Sequence, residues 1–346
     1  AARILTTPDE GRVPTNYPTR PTRLARLQQW LRWLRYPITG GLLAYLIWNA
    51  QPALIWHALR DTDLRWVAVA LGLQWVGIVL SAAKWGVILQ ARGHRLPLRW
   101  LVNSYLMGQF ANNFLPSTVG GDALRAMQLR QRIGSLSQAS ASIFIERLTG
   151  FLALSAIAML ALGLLWLGDG DVPLTTAPFW LLVAVGFTLA AVSAAGVAIF
   201  APVLVGWLGQ WQRFPRSVLA PLEKVATTLA EYFPHGRSLG LVVMMSLAFQ
   251  TLWVIIHAVG GLALGISAPL ILYALMVPLS DMLGLLPIFL NNVGARELVF
   301  TVYLRQIGVS EASALALSFL MFAIRLAVSL LGGVVLLLGG NQPDAG

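Results

Sequence analysis

The sequence predicts an all-α polytopic membrane protein, and three features of its composition and pattern support that fold class. Of its 346 residues, 57% are hydrophobic and 11% charged, which leaves too few charges to cover a soluble domain of this size. Apolar runs long enough to cross a hydrocarbon core of about 30 Å recur along the chain. Two further apolar runs are interrupted in the same way by helix-terminating residues. We therefore expect about six full spans, two re-entrant helical hairpins in an inverted repeat, and an N-terminal amphipathic interfacial helix.

Residues 1–36 are predicted to form a cytoplasmic tail followed by that amphipathic helix. Residues 1–23 are polar and rich in Pro, Thr and Arg, which is typical of a segment with too little apolar surface to fold alone. In residues 24–35, leucines recur at helical spacing among arginines and two tryptophans, which indicates a helix lying in the membrane interface. Residues 341–346 are expected to form a short tail at the other end.

Residues 37–340 are predicted to form one membrane domain. Its spans are expected at about 37–56, 65–91, 138–168, 178–205, 237–264 and 312–339. Arginines and lysines favour the cytoplasmic side of a membrane, and they cluster in the N-terminal tail, near Arg92 and in the 206–237 connection. The N-terminus is therefore predicted to be cytoplasmic, and the loop with Asp169 and Asp171 to lie outside.

The two interrupted runs are each predicted to form a helical hairpin. Pro116 is followed by Arg125 in the first run and Pro287 by Arg296 in the second, with the same step from proline to arginine. Glycines or asparagines accompany each proline, so a helix is expected to end at each of these points. The hairpins are expected at about 98–133 and 269–305.

The two hairpins are predicted to enter the membrane from opposite faces. The basic segments all lie on the cytoplasmic side only if the first hairpin enters and leaves the membrane from the cytoplasm and the second enters and leaves from the outside. Residues of about 65–168 and 237–339 would then form two repeats of inverted topology, and paired broken helices of this kind are typical of a binding site inside the membrane. Polar residues keep the same order in both repeats: Lys84, Pro116, Arg125 and Arg147 match His257, Pro287, Arg296 and Arg325.

Five cations within the apolar runs are the candidate substrate-binding residues: Lys84, Arg125, Arg147, Arg296 and Arg325. A charge at the centre of a membrane helix costs roughly 2.5–3.5 kcal/mol on insertion scales, so such residues face a protein interior or a wet cavity. A guanidinium is a planar fork of donors suited to phosphate oxygens, which predicts an anionic, phosphate-bearing ligand. For Lys84 the favoured alternative is that its stem carries the amine to the cytoplasmic surface.

Four carboxylates are predicted either to pair with these cations or to couple transport to protons. They are Asp122, Glu146, Asp281 and Glu297. Glu146 and Arg147 are adjacent and point to different sides of a helix, so each is expected to pair with another helix. For Arg147, a structural ion pair and a ligand contact are equally supported. Arg325 has no acidic neighbour in its own span, so it is expected to contact Asp281, Glu297 or Glu146 across the bundle or, as the favoured alternative, the ligand.

The breaks contain small and polar residues that complete the candidate site. They are Asn112, Asn113, Gly120 and Gly121 in the first hairpin, and Asn291 and Asn292 in the second. The asparagines can satisfy backbone groups that a broken helix leaves open in a region without bulk water. Asp122 and Glu297 are placed to cap the helices that follow the breaks. The many Trp and Phe side chains are expected at interfaces and lipid-facing surfaces.

Several function classes find no support in the sequence. Many arginines lie at the ends of apolar segments, so the net charge of +10 favours contact with anionic lipid rather than nucleic acid. There is no cysteine, the four histidines are scattered, and no ATP-binding loop, serine-hydrolase elbow or zinc-protease motif is present. We therefore expect no catalytic residue, no metal, no cofactor and no enzymatic activity. Small-residue pairs at Gly260–Gly261 and Gly332–Gly333 permit a homo-oligomer.

Two stretches, Met107–Arg125 (MGQFANNFLPSTVGGDALR) and Ile145–Gly150 (IERLTG), resemble the signature of the lysylphosphatidylglycerol synthase transmembrane, or flippase-like, family. Val293–Glu297, with the later turn Gly308–Ser310, is similar to a second element of that family. The resemblance covers roughly residues 40–340. It departs from the family at Asn291–Asn292, where a glycine pair is common.

The resemblance implies a multi-pass protein of a bacterial or archaeal cytoplasmic membrane that moves lipids between leaflets. Its partner would be an anionic phospholipid or a polyprenyl-phosphate-linked lipid, whose phosphate headgroup the buried arginines escort. Two-part members carry a soluble aminoacyl-transferase domain after the membrane region; this sequence ends at Gly346, so we expect it not to aminoacylate lipid. The alternative is a non-transporting scaffold or regulatory subunit whose buried charges only fix helix packing.

Overall fold

The structure is a computed structural model that describes most of the membrane region. The described residues are 37, 39–114, 120–167, 177–209, 227–228, 230–232, 236–286, 289 and 292–338. Several predictions fall outside them: the N-terminal tail and amphipathic helix, the loop with Asp169 and Asp171, most of the 206–237 connection, Pro116, Pro287, Asn291 and the final tail.

The fold is all-helical. In chain order the helices are α1 (39–49), α2 (Pro52–Arg60), α3 (Leu64–Gln90), α4 (Leu98–Phe114), α5 (Gly120–Ile133), α6 (Leu136–Leu167), α7 (Ala177–Gly209), α8 (Gly236–Ala263), α9 (Leu270–Gly284), α10 (Ala295–Gln306) and α11 (Glu311–Leu337). Polar caps fix several starts: the Asp63 side chain accepts from the backbone N–H of Arg65 before α3, and Ser310 accepts from that of Ser313 before α11.

Five of these helices, α3, α6, α7, α8 and α11, are long and apolar enough to cross a membrane. Their outward surfaces are apolar, as at Leu182 and Val203 on α7, both of which are exposed. Large apolar side chains cover a surface in this way where lipid rather than water surrounds it. The chain is therefore a multi-pass membrane protein.

The remaining predicted span, at about 37–56, is divided into two short helices in the structure. α1 ends at Asn49 and α2 begins at Pro52, while Gln51 between them has a φ of 59°, in the left-handed region. Pro52 has no backbone N–H, so the hydrogen-bond pattern of α1 cannot continue through it. Within the described residues, neither piece is long enough to cross the membrane alone. Asn49 donates a 2.5 Å hydrogen bond to Glu311 at the start of α11, against which α2 packs.

Each interrupted run forms two short helices that pack against each other, α4 with α5 and α9 with α10. At 1.5 Å per residue these helices are about 18–26 Å long, which is less than the hydrocarbon thickness of about 30 Å. In the second break, Asn292 has a φ of 67° and Gly294 a φ of 88°, conformations that asparagine and glycine tolerate. The helix pairs expected from the sequence are thus present.

Two units of four helices, α3–α6 and α8–α11, pack in matching pairs. The first helix of each unit, α3 and α8, contact each other. α4 packs on α11 as α9 packs on α6, and α5 packs on α6 as α10 packs on α11. α6 contacts α8 as α11 contacts α3. Exchanging the two units therefore leaves this pattern of contacts unchanged.

Glycines make the closest helix crossings possible. A Cβ at Gly332 of α11 would overlap the backbone carbonyl of Leu106 in α4, and a Cβ at Gly260 of α8 would lie 2.6 Å from Met321 Sδ. Their neighbours Gly333 and Gly261 face Phe110 and Tyr273. All four glycines of the two small-residue pairs are thus used within the chain, and they provide no argument for a homo-oligomer.

Candidate functional site

A cavity of about 370 Å³ lies between the two units, and most of the predicted site residues line it. Its cations are Lys84, Arg125, Arg147 and Arg325, and its carboxylates are Asp122, Glu146 and Asp281. With all of these ionised, the lining carries one net positive charge. A cavity of this volume is at the lower end of ligand pockets, of about 300–1,000 Å³, which suits a headgroup rather than a whole lipid.

Arg125 contacts two carboxylates and two aromatic rings of the first unit. Its Nη2 donates to Glu146 Oε2 at 2.6 Å, and its Nη1 lies 3.6 Å from Asp122 Oδ1. The guanidinium carbon lies 4.2 Å from the centre of the Trp85 ring and 3.9 Å from that of Tyr105. Its Nε has no partner among the described residues. Arg125 is therefore a largely neutralised cation that joins α5 to α6.

Arg147 forms a bidentate ion pair with Asp122. Its Nε and Nη2 donate to Asp122 Oδ2 and Oδ1 at 3.0 and 2.9 Å. Asp122 lies in the first turn of α5, where the helix dipole favours a negative charge. Glu146 and Arg147 thus pair with α5 rather than with each other, as predicted. The Arg147 side chain remains 46% exposed, in contrast to the buried Arg125.

Arg325 differs from the other cavity arginines because it makes no hydrogen bond or ion pair with any described residue. Its guanidinium carbon lies 5.2 Å from the centre of the Trp253 ring. The same Trp253 donates from Nε1 to Asp281 Oδ2 at 2.9 Å, and Asn292 Nδ2 donates to Asp281 Oδ1 at 2.9 Å. Neutral donors therefore satisfy the nearby carboxylate, and the guanidinium donors of Arg325 stay available to a ligand.

Lys84 is buried at the cavity wall. Its side chain is 4% exposed, and Nζ lies 5.9 Å from the centre of the Phe249 ring on α8. No described residue hydrogen-bonds to this amine. Lys84 therefore does not extend to the protein surface, and the prediction that its stem carries the amine to the cytoplasmic surface is wrong. It is the second unpaired cation of the cavity among the described residues.

Arg296 and Glu297 lie outside the cavity lining, buried within the second unit. Arg296 Nη2 donates to Glu297 Oε1 at 2.9 Å, and Arg296 Nε donates to Ser318 Oγ at 2.6 Å. Glu297 Oε2 accepts from the backbone N–H of Gly294 at 2.6 Å, so Glu297 caps α10 as predicted. The structure brings Arg125 to the cavity but not Arg296, its predicted counterpart.

The described asparagines of the breaks satisfy polar groups near the cavity. Asn112 Oδ1 accepts from the backbone N–H of Gly121 at 2.8 Å, so it occupies one of the open donors at the start of α5. Asn292 bonds to Asp281, as described above. Of the remaining predicted residues, Asn113 lines the cavity, whereas Gly120 and Gly121 do not.

Several lining residues were not predicted from the sequence. Gln74, Gln109 and Gln250 line the cavity, and Gln74 and Gln250 each lie in the interior of a long apolar span. An amide at such a position is a signal that could have identified these two. Trp85 and Trp253 are 0% and 8% exposed, so the expectation that tryptophans lie at interfaces is wrong for these two.

Comparison with known proteins agrees with this architecture. The model of the family described as "Lysylphosphatidylglycerol synthase TM region" matches residues 32–333. A curated relative, Glycosyltransferase AglD of Haloferax volcanii, is 26% identical over 330 residues, which cover 86% of this chain and 53% of that protein. The chain thus spans about half the length of this relative. Because the family match extends over both units and the cavity between them, the chain belongs to the lysylphosphatidylglycerol synthase transmembrane-region family.

Proposed function

We propose that this protein translocates an anionic phospholipid or a lipid-linked phosphate intermediate between the leaflets of a bacterial or archaeal cytoplasmic membrane. The lipid headgroup would pass through the cavity while the acyl chains stay in the bilayer. The observation that carries the proposal is the unpaired guanidinium of Arg325 on the cavity wall. A charged group in a membrane interior is costly unless it is paired, and a phosphate is a suitable partner.

The polar lining supports this route because a bare phosphate loses its hydration in hydrocarbon. Transfer of an ion into a low-dielectric medium is strongly unfavourable unless fixed polar groups replace the water. Lys84 and Arg325, one from each unit, supply positive charge from two walls of one cavity. Movement down a concentration gradient then needs neither a catalytic residue nor ATP hydrolysis.

We assign different roles to the arginines. Arg325 and Lys84 contact the phosphate directly. Arg147, which is half-exposed in the cavity, exchanges its bond to Asp122 for a bond to the phosphate as the headgroup passes. Arg125 and Arg296 hold the helices that follow the two breaks, since each is buried beside a carboxylate.

The proposed path rests on an inverted repeat. The matching contacts of α3–α6 and α8–α11 support two equivalent units, and the short helices of each interrupted run support re-entrant hairpins. In this proposal the hairpins enter from opposite faces, and the N-terminus is cytoplasmic because the basic segments favour that side. The two breaks then meet near the membrane midplane, as in other inverted-repeat transporters.

A membrane scaffold or regulatory subunit is the second candidate function. The observation that favours it is that Arg125, Arg147 and Arg296 each have a carboxylate partner. In a scaffold these pairs would only fix helix packing, and Arg325 would have no role in lipid movement.

The experiment is lipid translocation in proteoliposomes that contain phosphatidylglycerol with a fluorescent acyl chain. A membrane-impermeant quencher added outside reports how fast the labelled lipid moves between leaflets. Arg325→Gln should slow the movement about 10-fold or more, because hydrogen bonds to charged groups contribute about 1.5–3 kcal/mol. The matched control is Arg305→Gln, which removes an exposed arginine outside the cavity.

The two candidate functions give different outcomes in this assay. Translocation by the parent, a slow Arg325→Gln and a normal Arg305→Gln support lipid transport. Equal translocation rates for Arg325→Gln and Arg305→Gln would exclude a role of Arg325 in lipid movement. A parent protein that moves no anionic lipid would favour the scaffold.

A further inference from the structure

The two ends of the helix bundle carry unequal charge. At the end where α3 and α5 end and α4, α6 and α8 begin, here called the basic end, the described arginines are Arg92, Arg95, Arg99, Arg130, Arg132 and Arg237. Glu231 is the single carboxylate at this end among the described residues, and it pairs with Arg92. The described part of the opposite end is balanced, with Arg60, Arg65 and Arg305 beside Asp61, Asp63 and Glu311. The basic end therefore attracts anions from its surroundings.

Exposed apolar side chains lie at the level of these arginines. They are Leu98 beside Arg99 at the start of α4, Met127 one turn before Arg130 on α5, and Leu136 at the start of α6. The boundary between acyl chains and headgroups accepts apolar side chains and arginines together, because each reaches its own layer. The basic end of α4, α5 and α6 therefore fits the surface of a lipid leaflet better than it fits an acidic soluble protein.

One face of α6 connects the basic end to the cavity. Residues at spacings of three and four lie along this side of the helix: Leu136, Ser140, Phe144, Arg147, Phe151 and Leu154. The first four are exposed and the last three line the cavity, so Arg147 belongs to both groups. Arg147 follows Leu136 by eleven residues, which places it about 16 Å further along the helix axis. The face that is open to lipid near the basic end therefore becomes the cavity wall at Arg147.

α5 has an exposed face that reaches the same point. Ala123, Met127 and Arg130 recur at helical spacing and are all exposed. α5 packs on α6, and Asp122, which precedes Ala123, accepts both hydrogen bonds of Arg147. The exposed faces of the two helices therefore both extend from the basic end to one ion pair at the rim of the cavity. We call them together the α5–α6 face.

Resting on the proposed function, we propose that the α5–α6 face binds an anionic phospholipid of the leaflet at the basic end, and that this lipid enters the cavity past Arg147. Arg130, together with Arg99 on α4, contacts the lipid phosphate at the membrane surface. Met127 and Phe144 contact the acyl chains. The headgroup then moves along α6 to Arg147, the one residue of this face that both lipid and cavity can reach.

A fluorescent reporter on the α5–α6 face tests lipid binding. The chain has no cysteine, so Phe144→Cys can be labelled with bimane at one position only. The labelled protein is reconstituted in phosphatidylcholine with the same small fraction of either brominated phosphatidylglycerol or brominated phosphatidylcholine, both of which quench bimane. Phosphatidylglycerol should be enriched about fivefold or more at the reporter, because basic residues at a membrane surface attract anionic lipid. The control is Leu182→Cys, an exposed position on α7 away from the basic end, where the two lipids should quench equally.

Variants of the arginines test the cause of this preference. Arg99→Gln/Arg130→Gln should abolish the preference for phosphatidylglycerol at labelled Phe144→Cys. The matched control is Arg60→Gln/Arg65→Gln, which removes two exposed arginines at the opposite end and should retain the preference. Equal quenching by the two lipids at Phe144→Cys would overturn the lipid site and leave an acidic protein as the partner of these arginines.

Blocking the α5–α6 face tests the entry route. Phe144→Cys is modified in detergent with sulfonatoethyl methanethiosulfonate, which attaches an anionic group, and is then reconstituted. Phosphatidylglycerol translocation should slow several-fold relative to unmodified Phe144→Cys, because the attached group occupies the face and repels the phosphate. Leu182→Cys modified in the same way should translocate normally.

The outcomes separate this inference from the proposed function. Normal translocation by fully modified Phe144→Cys with an unchanged unfolding temperature would overturn the entry route, while lipid transport would stand. A parent protein that moves no phosphatidylglycerol would overturn the proposed function. The lipid preference at Phe144→Cys is measured without transport, so its loss alone overturns only the binding face.

Discussion

Arg147 of α6 donates to both carboxylate oxygens of Asp122, at 3.0 and 2.9 Å, and so ties α6 to the first turn of α5. The preceding residue, Glu146, accepts from Arg125 of α5 at 2.6 Å. Two neighbouring residues of opposite charge on α6 therefore form two ion pairs with α5. The pairs differ in environment, because the Arg125 side chain is buried whereas Arg147 is about half-exposed. Loss of the Arg125 pair should therefore lower the stability of the protein more than loss of the Arg147 pair.

Replacement of Arg125 by methionine should strongly destabilise the protein. It leaves the Glu146 carboxylate buried without its cation, and breaking a buried pair from one side costs about 3–5 kcal/mol. The measurement is the free energy of unfolding of purified protein in detergent. The double variant Arg125→Met/Glu146→Met removes both charges and should recover most of the loss. A double variant no more stable than Arg125→Met would contradict the importance of this pair.

Replacement of Arg147 by glutamine should change stability much less. Exposed ion pairs contribute about 1 kcal/mol or less, because water screens their attraction. Translocation of phosphatidylglycerol should nevertheless slow, since Arg147 faces the cavity. Both quantities are measured on the same preparation. A loss of stability as large as that of Arg125→Met would show that Arg147 acts mainly through packing.

Five of the six predicted span positions agree with the structure, but the ion-pair partners were not predictable from the sequence. Hydropathy and length located α3, α6, α7, α8 and α11, because lipid selects for long apolar helices whatever their neighbours. Pairing of charges depends instead on which helices are adjacent in space. Arg325 illustrates this: Asp281 was a predicted partner, but Trp253 and Asn292 already satisfy that carboxylate.

Arg296 and Glu297 show a second reason why side-chain contacts escape prediction. Adjacent helical residues point to different sides, and this rule held for Glu146 and Arg147. Arg296 and Glu297 nevertheless bond to each other at 2.9 Å, at the start of α10. The Glu297 side chain turns back to accept from the backbone N–H of Gly294, and the long side chain of Arg296 reaches the same carboxylate. Capping at a helix terminus therefore overrides the spacing rule.

Gly332 should be essential for the contact between α11 and α4. A Cβ at this position would overlap the backbone carbonyl of Leu106, which cannot rotate away as a flexible side chain would. Gly332→Ala should therefore separate the two helices and cost about 1–3 kcal/mol of stability, as overpacking usually does. Gly163→Ala on α6 is the matched control, because a Cβ there meets nothing within 4 Å. Equal unfolding free energies for the two variants would contradict the tight crossing.

Trp253 should keep Arg325 available by satisfying Asp281. Trp253→Phe keeps an aromatic ring beside Arg325 but removes the Nε1–H that donates to Asp281 Oδ2. The carboxylate then lacks one donor, and we expect Arg325 to turn towards it because an unpaired buried acceptor is costly. Translocation of anionic lipid should slow several-fold in the proteoliposome assay.

A second substitution distinguishes this cause from a general loss of packing around Trp253. Asp281→Asn added to Trp253→Phe removes the negative charge that would capture Arg325, so the double variant should translocate faster than Trp253→Phe alone. Damage to the packing would instead persist in the double variant, because Asp281→Asn does not replace the lost indole volume. A double variant as slow as the single one would therefore exclude competition between Asp281 and the lipid phosphate for Arg325.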